Sequence, residues 1–155
     1  MDHDPGKTEI PAPIMALDLG KKRVGVAVTD ALRISITRVA PIKRSSWKIL
    51  LAEVSTLIRR FDAQTLVIGL PLSMDGSLSA AASEAERTAG NFAKSLKIPV
   101  FLQDERLTSS EAESNLRAEG RTPAEIAALV DSEAAAIILR DFLNKDQRRF
   151  PVIIQ

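Results

Sequence analysis

Apolar residues fall first into two short runs, Ile-Met-Ala-Leu-Asp-Leu-Gly at 14–20 and Val-Gly-Val-Ala-Val-Thr-Asp at 24–30. Between them lies the basic turn Lys21-Lys22-Arg23. Two apolar runs joined by a short polar turn predict a β-hairpin. Residues 34–40 alternate in polarity and predict a third antiparallel strand, expected to stop at Pro41. From Ser45-Ser46 onward the period changes. Trp47, Leu50, Leu51, Val54, Leu57, Ile58 and Phe61 recur at helical spacing and form one wide stripe. On that stripe Trp47 reads as packing rather than as a platform for stacked bases.

Residues 65–70 are a continuous apolar run, the pattern of a parallel strand buried on both faces. A helix over about 79–96 follows, with Ala85, Ala89, Phe92 and Leu96 on one face. Residues 98–102 make a fifth strand, which runs straight into Gln103-Asp104-Glu105-Arg106-Leu107-Thr108. Thr108 with Glu111, and Thr122 with Glu125, have capping-box spacing; Gly120 stops the first helix and Pro123 opens the second. Residues 1–13, with three prolines, read as a flexible tail, 14–143 as the folded domain and 144–155 as a C-terminal tail. The order predicts an α/β fold. Its five-stranded mixed sheet has three antiparallel strands, then two parallel ones, with helices on both faces.

Composition narrows the chemistry. A chain of 155 residues with 21 Lys plus Arg against 20 Asp plus Glu has no overall basic excess, so any nucleic-acid surface must be local. It contains no cysteine and a single histidine, His3 in the tail, which removes thiolate sites and leaves little room for His-based catalysis. A resident metal would need oxygen ligands, which favours Mg²⁺ or Mn²⁺. The N-terminal residues lack the basic start and apolar core of a secretory signal, and no apolar run spans a bilayer, so a cytoplasmic address without membrane contact is expected.

Three acids stand where solubility does not require one. Asp18 interrupts the first strand, Glu105 follows the fifth, and Asp131 lies on the last helix beside Ala134 and Ala135. An unpaired carboxylate in a buried strand costs roughly several kcal/mol. Asp18 therefore either caps the turn on a wet face or faces a cation. Glu105 serves as well in a loop ion pair with Arg106, and Asp131 on the wet edge of its helix. If the three converge, their repulsion calls for cations between them, an arrangement suited to phosphodiester hydrolysis.

These same residues carry a family resemblance. Leu17-Asp18-Leu19-Gly20 leading to Arg23-Val24-Gly25-Val26-Ala27, Gly69-Leu70-Pro71-Leu72 with Met74-Asp75-Gly76, Asp104-Glu105-Arg106-Leu107-Thr108, and Asp131 before Ala134-Ala135-Ala136 together resemble the YqgF family. Its members are Holliday junction resolvase-like nucleases, also described as pre-16S rRNA nucleases. The resemblance covers about residues 14–143 and departs at Ser73, where the family string has Asn. It implies an RNase H-like fold with a divalent-metal site at Asp18, Glu105 and Asp131. By position it also makes Arg23 and Arg106 candidates for contacting the phosphate backbone, with Lys21 and Lys22 as weaker ones.

The expected activity is metal-dependent cleavage of RNA at the 5′ end of pre-16S rRNA, on naked RNA or on the precursor ribosome. One rival is a resolvase cutting branched DNA junctions, which needs a symmetric homodimer for paired cuts. Another is a non-catalytic nucleic-acid-binding module linked to transcription. A sugar-kinase or actin-like fragment shares the Asp-x-Gly hairpin but would need a second such domain.

Overall fold

The basic turn closes the predicted hairpin: β1 (Ile14–Leu19) and β2 (Arg23–Thr29) pair antiparallel, with Asp18 opposite Gly25. The computed structural model describes residues 9–73, 75–105, 108–144 and 149–153. β3 (Ile36–Lys43) extends the hairpin, and α1 (Trp47–Phe61) starts at Ser46, whose side chain accepts from the Ile49 N–H at 3.3 Å. β4 (Thr65–Leu70), α2 (Ala80–Ser95) and β5 (Val100–Asp104) form the crossover units, both connections joining parallel strands. α3 (Thr108–Ala118) ends at Gly120, whose φ of 79° suits a residue without a Cβ. α4 (Pro123–Leu143) opens on the predicted capping box of Thr122 and Glu125.

The strand order is β3-β2-β1-β4-β5, with β6 (Arg149–Pro151) beyond β5. Alternation along the strands builds two cores. Met15, Leu17, Val24, Val26 and Ile68 face α1 and α2, while Ile14, Ala16, Ala27 and Val67 face α4. The two-sided burial of β1 and β4 explains their nearly unbroken apolar sequences. α4 lies between the sheet and α3, so eight consecutive residues from Ser132 to Leu139 are buried.

Three differences from the sequence reading have local causes. β3 does not stop at Pro41 but runs through it to Lys43. It is an edge strand, and the register shift between Val24 and Val26 accommodates a residue without an N–H. Second, among the described residues the sheet has six strands rather than five, because β6, in the segment read as a tail, pairs antiparallel with β5. Three residues are too few to show a period. Third, residues 9–13 are packed in part: Thr65 Oγ1 donates to the Pro11 carbonyl at 2.6 Å and the Gln64 N–H to that of Pro13 at 2.8 Å.

Candidate functional site

Asp18, Glu105 and Asp131 are drawn to the C-terminal end of the central strands by the places where side chains are missing. β1 and β4 run parallel in register through Leu17 and Ile68, so Gly69 follows beside Asp18. A Cβ on Gly69 would overlap the Glu105 carboxyl group. The Glu105 side chain thus lies across β4, in the space glycine leaves open, and reaches Asp18 in a carboxyl–carboxyl hydrogen bond. Gly25 does the same for the last helix, since a Cβ there would overlap the backbone of Asp131. α4 rests directly on β2 at that point. The helix is thereby set close enough for Asp131 to act electrostatically on Asp18.

The first two acids are a proton-sharing pair. Burial pushes the Asp18 carboxyl up from 3.8 to about 6, against the hydrogen bond from Glu105, and the charge of Asp131 adds to the rise. Burial pushes Glu105 well above the usual carboxylate range, and the charges of Asp18 and Asp104 act in the same direction. Glu105 is 9% exposed, and its N–H donates to the Leu70 carbonyl at 3.1 Å. The pair therefore carries one proton over a pH range in which exposed acids are fully ionised.

Asp131 is held differently. Its Oδ2 accepts from Arg23 Nε at 2.9 Å, with the Arg23 side chain 53% exposed at the mouth of the site. Among the described residues, no group of three His, Cys, Asp or Glu side chains stands close enough to ligate one ion together. The arrangement is a buried pair, with a third acid beside it held by an arginine. Lys21 and Lys22 are exposed on the same turn, and the Gly20 N–H donates to the Asp18 carbonyl at 3.0 Å. Arg106 lies outside the described residues.

Two charged residues that the sequence reading passed over shape this region. Arg44 Nη1 donates to the Gly20 carbonyl at 2.7 Å, its backbone N–H donates to the Lys22 carbonyl at 2.9 Å, and its guanidinium pairs with Glu84 of α2. It thus ties the basic turn to α2. Nothing local distinguishes Arg44 from any other surface arginine. Glu133, only 2% exposed, accepts from Arg38 at 3.0 Å and from Arg140 at 2.9 Å, which pins α4 to β3 two residues beyond Asp131. An acid directly before the apolar run 134–139 was a legible signal, akin to Asp18 in its strand.

Comparison with known proteins bears on what this geometry serves. The profile of a family described as "RuvX: Holliday junction resolvase" matches residues 12–145. A protein of Synechococcus elongatus described as "Putative pre-16S rRNA nuclease" is 41% identical over 138 residues, covering 88% of this chain and 93% of that one. Proteins with the same description from Gloeothece citriformis and an Anaeromyxobacter species are 43% and 38% identical. They cover 87% and 84% of this chain and 88% and 95% of their own. In the solved structure of "T. thermophilus RuvC in complex with Holliday junction substrate", the fold is shared at a TM-score of 0.54. Identity is 16%, over 89% of this chain and 98% of that one.

Proposed function

The chain belongs to the RuvX family, the YqgF group that its motifs resemble, and on that premise we propose that it is a nuclease processing the 5′ end of pre-16S rRNA. The observation that carries the chemistry is the buried Asp18–Glu105 pair beside a basic turn. The enzyme is a hydrolase of nucleic-acid phosphoesters working in the cytoplasm.

The donor set fits a hard divalent cation, Mg²⁺ or Mn²⁺. Two carboxyl groups already share one proton in a buried site, and a cation in the proton's place would offset both charges with oxygen ligands alone. Asp18 and Glu105 would hold it, with Asp131 as the third ligand. When bound, such an ion stabilises negative charge on the phosphate and lowers the pKa of an attacking water.

This chain's own residues do the rest. Arg23 faces both ways, its Nε on Asp131 and the remainder of an exposed guanidinium open to a phosphate oxygen. Binding of a phosphate at Arg23 would draw the arginine off Asp131 and release that acid toward the pair. Lys22 and, more weakly, Lys21 would hold neighbouring phosphates from the same turn, with Arg106 assigned to the same task by the family motif. Burial of Glu105 and partial burial of Asp18 limit the water that reaches the pair.

The test is cleavage of a 5′-extended 16S precursor fragment, in parallel with a four-way DNA junction, in Mg²⁺, Mn²⁺ or EDTA. Metal-dependent trimming of the RNA is expected, and Asp18→Asn should lower it by more than about a hundredfold. Paired cutting of the junction alone, by a homodimer, would move the function to recombination, as the family's description names. Equal binding of both substrates by wild type and Asp18→Asn, with no cleavage of either or of precursor ribosomal particles, would leave a binding module.

A further inference from the structure

Behind the carboxylates, on the other face of the sheet, lies a cavity of about 250 Å³. Its walls are Leu19, Pro71 and the alanines at the start of α2, Ala80 and Ala81 among them; Lys21, Arg44 and Glu84 supply its charges. We propose that it receives one unstacked nucleobase of the substrate strand, next to the phosphate held at the acids. The proposal rests on the nuclease reading and narrows it to single-stranded nucleic acid.

The position follows from strand geometry. Leu19 is the residue after Asp18, successive strand side chains point to opposite faces, and their Cα atoms are only ~3.8 Å apart. Pro71 follows Leu70, whose carbonyl accepts the Glu105 N–H. Acids and cavity are therefore two sides of one strand end, within the reach of adjoining nucleotides. A chain passing over that end would leave its phosphate on one side and turn its base into the other.

The chemistry of the walls selects a base. A phosphate would meet Lys21 and Arg44, the latter already paired with Glu84, but would also face the Glu84 carboxylate and apolar walls, at a cost in desolvation. A flat heterocycle instead buries its faces on Leu19, Pro71 and the alanines, while its edge offers donors to Glu84 and acceptors to Lys21 and Arg44. The volume exceeds that needed by a lone water and falls just below that of drug-sized pockets, which start at roughly 300 Å³. The cavity is also braced. The bonds of Arg44 to the Gly20 carbonyl and to Glu84 hold its two sides together, so little ordering remains to be done on binding. A wider concavity of about 450 Å³ between β3 and α1 lies at the sheet edge, away from the acids, and has no such relation to them.

Recognition of RNA by splayed, unstacked bases is general for single strands and denied to a continuous duplex. The experiment compares the full chain's affinity, in EDTA, for two oligoribonucleotides of equal length, one bearing bases and one wholly abasic. Wild type should bind the base-bearing strand about tenfold more tightly. Ala81→Phe, which fills the cavity from an exposed helix position, should bring the ratio close to one and leave abasic affinity unchanged. Ala80→Leu repeats the test should Ala81→Phe not fold. A ratio of one in wild type, or a tenfold ratio kept in either folded variant, overturns the proposal. Equal weakening of both strands, the sign of a phosphate in the cavity, overturns it as well. Because the readout needs no cleavage, it fails independently of the nuclease reading, whose own failure appears as uncut RNA.

Discussion

Asp18 and Glu105 share a proton because the fold brings two acids into a space shielded from water, and Gly69 is the residue that makes the space. The stability cost has a sign that can be read. A carboxyl raised from 3.8 to about 6 binds more protons folded than unfolded across that window, so its contribution is full below about 4 and lost as pH rises through 6. Glu105, pushed up chiefly by burial, loses stability in the same direction as pH rises. Without metal, Asp18→Asn should therefore melt above wild type at pH 7, by about 5 °C, and match it near pH 4. Thermal melts in EDTA across pH 4–8 check this. A gap that widens toward acid would contradict the buried pair.

At the scale of elements, the third acid depends on how α4 is seated. Gly25 lets the helix touch β2 at Asp131, and Glu133 locks it there through Arg38 of β3 and Arg140 of its own helix. Asn115 of α3 adds a weaker bond to Glu133 at 3.4 Å. Removing this buried partner takes Glu133 from Arg140 and leaves Arg38 only a longer contact to Glu119 at 3.8 Å, but both arginines are partly exposed, which lowers the cost. Glu133→Ala should lose about 2 kcal/mol in urea denaturation, and Glu133→Gln less, since an amide keeps an acceptor. Cleavage by Glu133→Ala should fall as well, through displaced Asp131, with the rate constant affected more than the apparent affinity.

For the whole molecule, balanced charge makes substrate attraction a local matter. Lys21, Lys22 and Arg23 of the turn by themselves should give binding to single-stranded RNA a log–log salt slope near −2, or about 15-fold weaker binding from 50 to 200 mM salt, and a contact from Arg106 would steepen it. Fluorescence anisotropy across that range checks it, and a slope near zero would remove the turn from the interface. No described helix is long and apolar enough to cross a membrane.

Most of the architecture was written locally. The hairpin, the Ser46 and Thr122 caps, Gly120 and the two-sided burial of β4 all follow from period and turn chemistry within a few residues of each other. Asp18 was legible for the same reason, as a charge in an apolar run, whereas Glu105 and Asp131 stood out by their places at a strand end and beside the small residues of the last helix. Their grouping was implied by the family resemblance and not by period or spacing. Asp131 meets Arg23 across 108 residues of chain, and Arg44 meets Glu84 across 40. No period spans such distances, and both contacts require the sheet order and the seating of the helices on it. The proton shared by Asp18 and Glu105 belongs to that level too, because a pKa records solvent exclusion, which exists only once the chain has closed around the pair.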